Sequence, residues 1–171
     1  MAMIYGEKNM KDAVVIGIGD YTVVTDNTPI TTIGLGSCIG IVLYDPTTNV
    51  SGMSHIMLPE IGVKKDKIGK YADSAIPALL EEMKKVGAKI EKIQAKIAGG
   101  ASIFDFTDDI LKIGDRNAKA VRDILKEFNI RLVNKDIGGK RGRTITFYPE
   151  NKELFIKMVK KEPNDICEKT I

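Results

Sequence analysis

The stretch Ile33-Gly34-Leu35-Gly36-Ser37-Cys38-Ile39-Gly40-Ile41 sets one thiol among three glycines, at the start of an apolar run that ends at Tyr44. The β-branched residues before it predict a short strand, and the glycines predict a turn. The run from Cys38 to Tyr44 predicts a strand or short helix buried on both faces. Val50 to Met57 predicts another strand, which carries His55, the chain's one histidine. If these two segments pair around the turn at 45–49, Cys38 and His55 approach one another.

Outward from this stretch, the pattern is a mixture of strands and helices. Strands are predicted at 13–18, 21–25, 30–33 and 92–98, and helical spacing predicts one helix from Asp73 to Val86, with Pro77 in its first turn, and a second from near Asp115 to Phe128. A hairpin of 130–137 with 144–147, a short helix at 149–159 and a loose tail at 160–171 complete the prediction. The class is therefore α+β, in one domain spanning residues 1–171.

The net charge of +3 is too small to indicate a nucleic-acid-binding protein. One dense basic cluster, Lys140-Arg141-Gly142-Arg143, is predicted to be a solvated hairpin tip. Docking of an acidic partner is its alternative interpretation.

The segment Met1–Lys11 has no long apolar region of the kind found in signal peptides, and no apolar run approaches the roughly 20 residues that span a membrane. The chain is therefore predicted to be cytoplasmic, without membrane insertion and with reduced thiols. Cys167 lies in the charged tail, so a structural disulfide with Cys38 is not predicted. Two cysteines and one histidine lack the number and spacing of a zinc site, and no metal or cofactor is expected.

Cys38 and His55 are the strongest catalytic candidates, because a nearby imidazole activates a thiol and Gly-rich backbone can offer N–H groups to an oxyanion. Their pattern also fits a buried small side chain beside a hydrogen-bonded histidine in a sheet. Thr31 or Thr32 could orient the imidazole, although β-propensity explains both equally well. The glycine clusters Gly17-Ile18-Gly19 and Gly34-Leu35-Gly36 both lack the third glycine of a dinucleotide-binding motif. The segment Gly99-Gly100-Ala101-Ser102 could line the same pocket as Cys38 or form an ordinary turn.

Five blocks in the same order resemble the chemoreceptor glutamine deamidase family, CheD, over about residues 12–158. They are Thr32-Ile33-Gly34-Leu35-Gly36-Ser37-Cys38-Ile39-Gly40, Ser54-His55-Ile56-Met57-Leu58-Pro59, Lys96-Ile97-Ala98-Gly99-Gly100-Ala101, Ile113-Gly114-Asp115-Arg116-Asn117, and Asp136-Ile137-Gly138-Gly139 with Gly142-Arg143.

The resemblance implies a protein-glutamine deamidase that converts glutamines of chemotaxis receptors to glutamate and ammonia through a cysteine thioester. It implies a catalytic triad of Cys38 as nucleophile, His55 as base and Thr32 as the supporting residue. The fold it implies is a layered α/β/β sandwich with two main helices on one face, similar to the catalytic domain of cytotoxic necrotising factor toxins. It also implies a CheC-type phosphatase as partner. A non-catalytic adaptor that stimulates such a phosphatase is the alternative, and a cysteine peptidase or acyltransferase is a more distant one.

Overall fold

The computed structural model describes residues 12–63, 66–103, 112–165 and 167–171. The segment 1–11, for which the sequence predicts no signal peptide, lies outside these residues. Within the described part of the chain, the elements are β1 (Val14–Ile16), β2 (Tyr21–Val24), β3 (Ile30–Leu35), β4 (Ile39–Tyr44), β5 (Ser51–Ile56), α1 (Ala72–Lys85), β6 (Gln94–Gly99), α2 (Ile113–Glu127), β7 (Arg131–Ile137), β8 (Arg143–Tyr148), β9 (Glu153–Met158) and β10 (Glu168–Thr170).

The strands form two mixed sheets of five strands each. The first sheet has the order β1-β3-β8-β9-β10 and the second the order β2-β5-β4-β6-β7. Each sheet contains one parallel pair, β1 with β3 and β6 with β7, and its other pairs are antiparallel. A parallel pair needs a crossover, and α2 supplies it between β6 and β7. These sheets and helices confirm the α+β class.

The second sheet lies in the middle of the molecule, with a hydrophobic core on each side. Residues of β4 alternate between the two cores: Ile39, Ile41 and Leu43 pack against α1 and α2, whereas Val42 and Tyr44 pack toward the first sheet. The period of two along a strand dictates this alternation. The layers are therefore helices, second sheet and first sheet, and every residue of β4 is buried.

Consecutive strands alternate between the two sheets at the start of the chain. The chain crosses from β1 to β2 through residues 17–20, returns to the first sheet at β3, and crosses again to β4 through residues 36–38. This last crossing is the glycine-rich stretch that contains Cys38. The thiol is therefore carried on a turn between the two sheets rather than on an outer loop.

The helices begin earlier than the sequence predicts. α1 begins at Ala72, with Tyr71 as an N-cap that makes no side-chain hydrogen bond. Pro77 is consequently inside the helix, not in its first turn as predicted, and the helix lacks one backbone donor there. The apolar stripe of Ile76, Leu79 and Met83 is fully buried, and this packing offsets the missing hydrogen bond.

Three predictions for the C-terminal third are wrong. β7 and β8 belong to different sheets, so residues 138–142 are a crossing loop and not a hairpin turn. The helix predicted at 149–159 is the strand Glu153–Met158, in which Leu154 and Ile156 alternate into the core. Residues 168–170, predicted to be loose, pair antiparallel with β9 as an exposed edge strand.

The basic cluster is not a solvated tip. Arg143 is buried, and its guanidinium lies 2.9 Å from the Asp136 carboxylate, which also receives Lys169. Arg141 lies 2.7 Å from Asp165. Arg141 and Arg143 are therefore neutralised within the protein, which weakens the alternative interpretation of an acidic partner docked there.

Candidate active site

The three candidate residues lie at the interface between the two sheets. Thr32 lies on β3 of the first sheet, His55 on β5 of the second, and Cys38 just before β4. In the β4–β5 ladder Gly40 is opposite His55, so Cys38, two residues earlier on the same face, is a diagonal neighbour of the histidine. The pairing predicted around the turn at 45–49 is confirmed, and it places the thiol and the imidazole on the same side of the sheet.

Thr32 holds the imidazole from the opposite sheet. Its Oγ1 lies 2.8 Å from His55 Nδ1 and 2.8 Å from the carbonyl oxygen of Ile16. Because a carbonyl can only accept, the single hydroxyl proton of Thr32 is donated to Ile16, and the hydroxyl oxygen accepts from Nδ1–H. This fixes the tautomer of His55, with Nδ1 protonated and Nε2 carrying a free lone pair.

Thr31 has a different environment. Its hydroxyl donates to the Ile145 carbonyl at 2.8 Å and lies 2.9 Å from the Thr146 hydroxyl, within the first sheet. Adjacent residues of a strand point to opposite faces, so only one of the two threonines can face His55. The structure brings Thr32, and not Thr31, to the imidazole.

Burial favours the uncharged forms of both the thiol and the imidazole. His55 is completely buried, and the loss of hydration lowers its pKa to about 4, with Asp20 opposing this shift. Burial also raises the pKa of the Cys38 thiol above its usual value. Both shifts oppose the formation of a thiolate–imidazolium pair in the resting site.

His55 Nε2 is the free functional atom of the site. It is buried and has no hydrogen-bond partner among the described residues. A buried, unpaired imidazole nitrogen is costly for stability but is the form that can accept a proton from a thiol. Cys38, 8% exposed, is the member of the group that solvent reaches.

Backbone contacts fix the turn that carries Cys38. The Gly100 N–H donates to the Cys38 carbonyl at 2.8 Å, and the Ala101 N–H donates to Gly36 at 2.8 Å. Gly99 has a φ of +119° and packs so closely that a Cβ there would lie 2.1 Å from the Cys38 carbonyl oxygen. The segment 99–101 thus lines the Cys38 turn, as one of its two interpretations predicts.

The backbone N–H groups of Ser37 and Cys38 lie beside the sulfur. Within the described ranges, neither Ser37 N–H nor Cys38 N–H donates to a backbone carbonyl. The Cys38 N–H interacts with its own sulfur, which counteracts part of the rise in thiol pKa. Backbone donors beside a nucleophile are the usual components of an oxyanion hole.

Sequence reasoning missed the turn that holds the backbone of His55. The Gly19 N–H donates to the His55 carbonyl at 2.9 Å, and the His55 N–H donates to the Asp20 backbone carbonyl at 3.1 Å. This turn also follows Ile16, whose carbonyl binds Thr32. The available signal was the pair of glycines Gly17 and Gly19 between two predicted strands.

Other features of the described residues bear on cofactors and location. Among these residues no group of three or more His, Cys, Asp or Glu side chains is arranged to hold a metal ion. Cys167 is a free thiol, 3.6 Å from the Met158 sulfur, and it is not bonded to Cys38. Over the same residues, no helix has the length and hydrophobicity that a membrane crossing requires.

Comparison with known proteins yields one consistent family. The family model described as CheD chemotactic sensory transduction matches residues 57–158. The chain is 48% identical to the chemoreceptor glutamine deamidase CheD of Thermotoga maritima, over 85% of this chain and 91% of that protein. It is 45% identical to the protein of the same name in Halalkalibacterium halodurans, over 92% and 100%. It is 44% identical to the probable chemoreceptor glutamine deamidase CheD of Archaeoglobus fulgidus, over 86% and 94%.

Among solved structures, the hypothetical protein YfiH of Bacillus licheniformis aligns with a TM-score of 0.45 at 14% identity. The alignment covers 70% of this chain, which spans about half of that protein, 49% of its length. This likeness carries no argument about function.

Proposed function

This chain belongs to the CheD family, and from that premise we propose that it is a protein-glutamine deamidase acting on chemotaxis receptors. It hydrolyses the side-chain amide of specific glutamines to glutamate and ammonia. The observation that carries the proposal is the Thr32–His55 hydrogen bond, which leaves Nε2 as a free base on the face of the sheet that also carries Cys38. In this proposal, residues 1–171 are one deamidase domain.

In the proposed first step, Cys38 Sγ attacks the carboxamide carbon while His55 Nε2 takes the thiol proton. Proton removal during the attack suits a site in which burial favours both neutral partners. The carbonyl oxygen becomes an oxyanion that accepts hydrogen bonds from the Ser37 and Cys38 N–H groups.

In the second step, His55 returns the proton to the amide nitrogen, the C–N bond breaks and ammonia leaves, which produces a thioester on Cys38. Water then loses a proton to Nε2 and attacks the thioester carbon. Sγ departs with that proton, so the products are a glutamate side chain and the original thiol. Throughout, Thr32 keeps Nδ1–H occupied, so that Nε2 is the only nitrogen that exchanges protons.

The test is incubation of chemoreceptor fragments with wild type, Cys38→Ala and Cys167→Ala. Wild type and Cys167→Ala should release ammonia and give the small mass increase that accompanies replacement of an amide NH₂ by OH. Cys38→Ala should do neither. Undiminished turnover by Cys38→Ala would refute the proposal, and cleavage of the receptor backbone would instead indicate a peptidase.

Three finer statements belong to the same proposal and rest on the family resemblance. The protein binds a CheC-type phosphatase, it works in the cytoplasm, and its fold is similar to the catalytic domain of cytotoxic necrotising factor toxins. Phosphatase stimulation by Cys38→Ala would separate a binding role from deamidation. A purely non-catalytic adaptor is not favoured, because the relatives are named as deamidases.

A further inference from the structure

Asn117 is a buried polar residue in the apolar stripe of α2. It is completely buried, and the stripe around it consists of Gly114, Ala118, Val121 and Leu125. A polar side chain at such a position lowers stability unless hydrogen bonds compensate for its lost hydration. The mechanism proposed above does not use it, so its contacts need an explanation.

The Asn117 side-chain amide joins the turn of the nucleophile to the strand of the histidine. Its Nδ2 donates to the Ser37 carbonyl at 3.0 Å and to the Met57 carbonyl at 2.9 Å. Both partners can only accept, so the NH₂ group must face them, and the orientation of the amide is unambiguous. Ser37 directly precedes Cys38, and Met57 follows His55 by two residues.

This bridge lies where the β4–β5 ladder stops. The last paired residues are Ile39 and Ile56, so backbone pairing ends one residue before Cys38 reaches its partner position. Beyond that point the Asn117 amide connects the two strands. The turn of the thiol and the strand of the imidazole are therefore joined here through this side chain.

Stability alone does not account for Asn117. Its Oδ1 is buried and has no hydrogen-bond partner among the described residues, which costs about 1–3 kcal/mol. Positions that sacrifice stability in this way are concentrated at functional sites.

The first turn of α2 also packs against the other side of the Cys38 turn. A Cβ on Gly114 would lie 2.5 Å from the Gly100 carbonyl oxygen, so only glycine allows this approach. Gly100 in turn donates to the Cys38 carbonyl. The start of α2 thus supports the backbone on both sides of the thiol, through Asn117 at Ser37 and through Gly114 and Gly100 at the Cys38 carbonyl.

We infer that Asn117 is a positioning residue that holds the Cys38 turn and the His55 strand at the separation proton transfer requires. The inference rests on the proposed function. It assigns Asn117 no contact with substrate. Displacing reacting groups by about 1 Å reduces rates on the order of 100-fold, so Asn117→Ala should lower kcat by roughly 10- to 100-fold, with little change in KM.

The test is a double-mutant cycle of Asn117→Ala with His55→Gln. The readouts are receptor deamidation and the rate at which iodoacetamide alkylates Cys38. If Asn117 acts by aligning the thiol with the imidazole, Asn117→Ala slows alkylation in the wild-type background and has little further effect in His55→Gln. Additive effects, or equal alkylation rates in all four proteins, would overturn the inference.

The alkylation readout separates this inference from the proposed function. If wild type deamidates no receptor, the proposed function fails, while the alkylation cycle still decides the role of Asn117. Asn117→Ser, which retains one donor, should give an intermediate rate, and it replaces Asn117→Ala if that variant does not fold. Tyr44→Phe is the stability control: it removes a 3.0 Å bond to Gln94 at the far end of β4 and should leave alkylation unchanged.

Discussion

Replacing Thr32 with valine tests the hydrogen bond that orients the imidazole. Valine has nearly the same shape, so Thr32→Val removes the acceptor of His55 Nδ1–H and the donor to Ile16 without opening a large cavity. During the reaction the imidazole becomes positively charged, and the Nδ1–H bond to Thr32 becomes charge-assisted. Bonds to charged groups contribute about 1.5–3 kcal/mol. We therefore expect kcat to fall by roughly 10- to 150-fold.

The assay is ammonia release from a receptor fragment at saturating substrate, with the folded fraction checked by thermal unfolding. Thr31→Val is the matched control, because it removes two hydrogen bonds from the adjacent residue without contacting His55. It should lose stability and retain kcat, and Thr32→Ser, which keeps the hydroxyl, should retain most activity. A kcat for Thr32→Val within about twofold of wild type would refute the reasoning, since it would mean the bond does not strengthen in the transition state.

Three further outcomes follow from the charges of the buried groups. Because burial raises the pKa of Cys38, a His55→Gln variant, which lacks the base, should be alkylated by iodoacetamide at a rate that rises steadily with alkaline pH, and a rate plateau from acidic to neutral pH in that variant would instead indicate a preformed thiolate. Folding lowers the pKa of His55 from 6.5 to about 4, so as the pH falls the imidazole of the unfolded chain is protonated before that of the folded protein. Urea unfolding should therefore show about 3 kcal/mol of stability lost as the pH is lowered from 6.5 to about 4. His55→Gln should not show this part of the loss. Arg143→Met leaves the buried Asp136 with Lys169 as its ion-pair partner and should cost about 3 kcal/mol in the same measurement, whereas a loss below about 1 kcal/mol would mean that Lys169 compensates.

Short-range patterns predicted the elements that carry the thiol and the imidazole. The turn at 45–49 follows from Asp45, Pro46 and Asn49, and the β-branched and apolar runs on either side define β4 and β5. Sheet membership was not predictable in the same way. Gly138 and Gly139 both have positive φ values, and this loop leads the chain from one sheet to the other rather than into a hairpin.

The choice between Thr31 and Thr32 shows the limit of residue types alone. Both are β-branched and both are buried, so only the facing of β3 determines which one contacts His55. The face of β3 that is turned toward the second sheet depends on how the two sheets pack, which is a long-range property. The family resemblance, and not the residue types, identified Thr32 as the supporting residue. For Asn117, a polar residue within an apolar helical stripe was a visible signal. For β10, Glu168-Lys169-Thr170 has no apolar alternation that would predict a strand.

The division of the site between two sheets makes catalysis a sensitive indicator of how the sandwich is closed. Thr32 belongs to one sheet and His55 to the other, and they are joined by a single 2.8 Å contact. In a partly folded chain whose two sheets have formed but are not docked, all three side chains are present. The hydrogen bond from His55 to Thr32 is absent, so the imidazole is not oriented as a base. Mild denaturant should therefore abolish turnover before the β-sheet signal in circular dichroism declines.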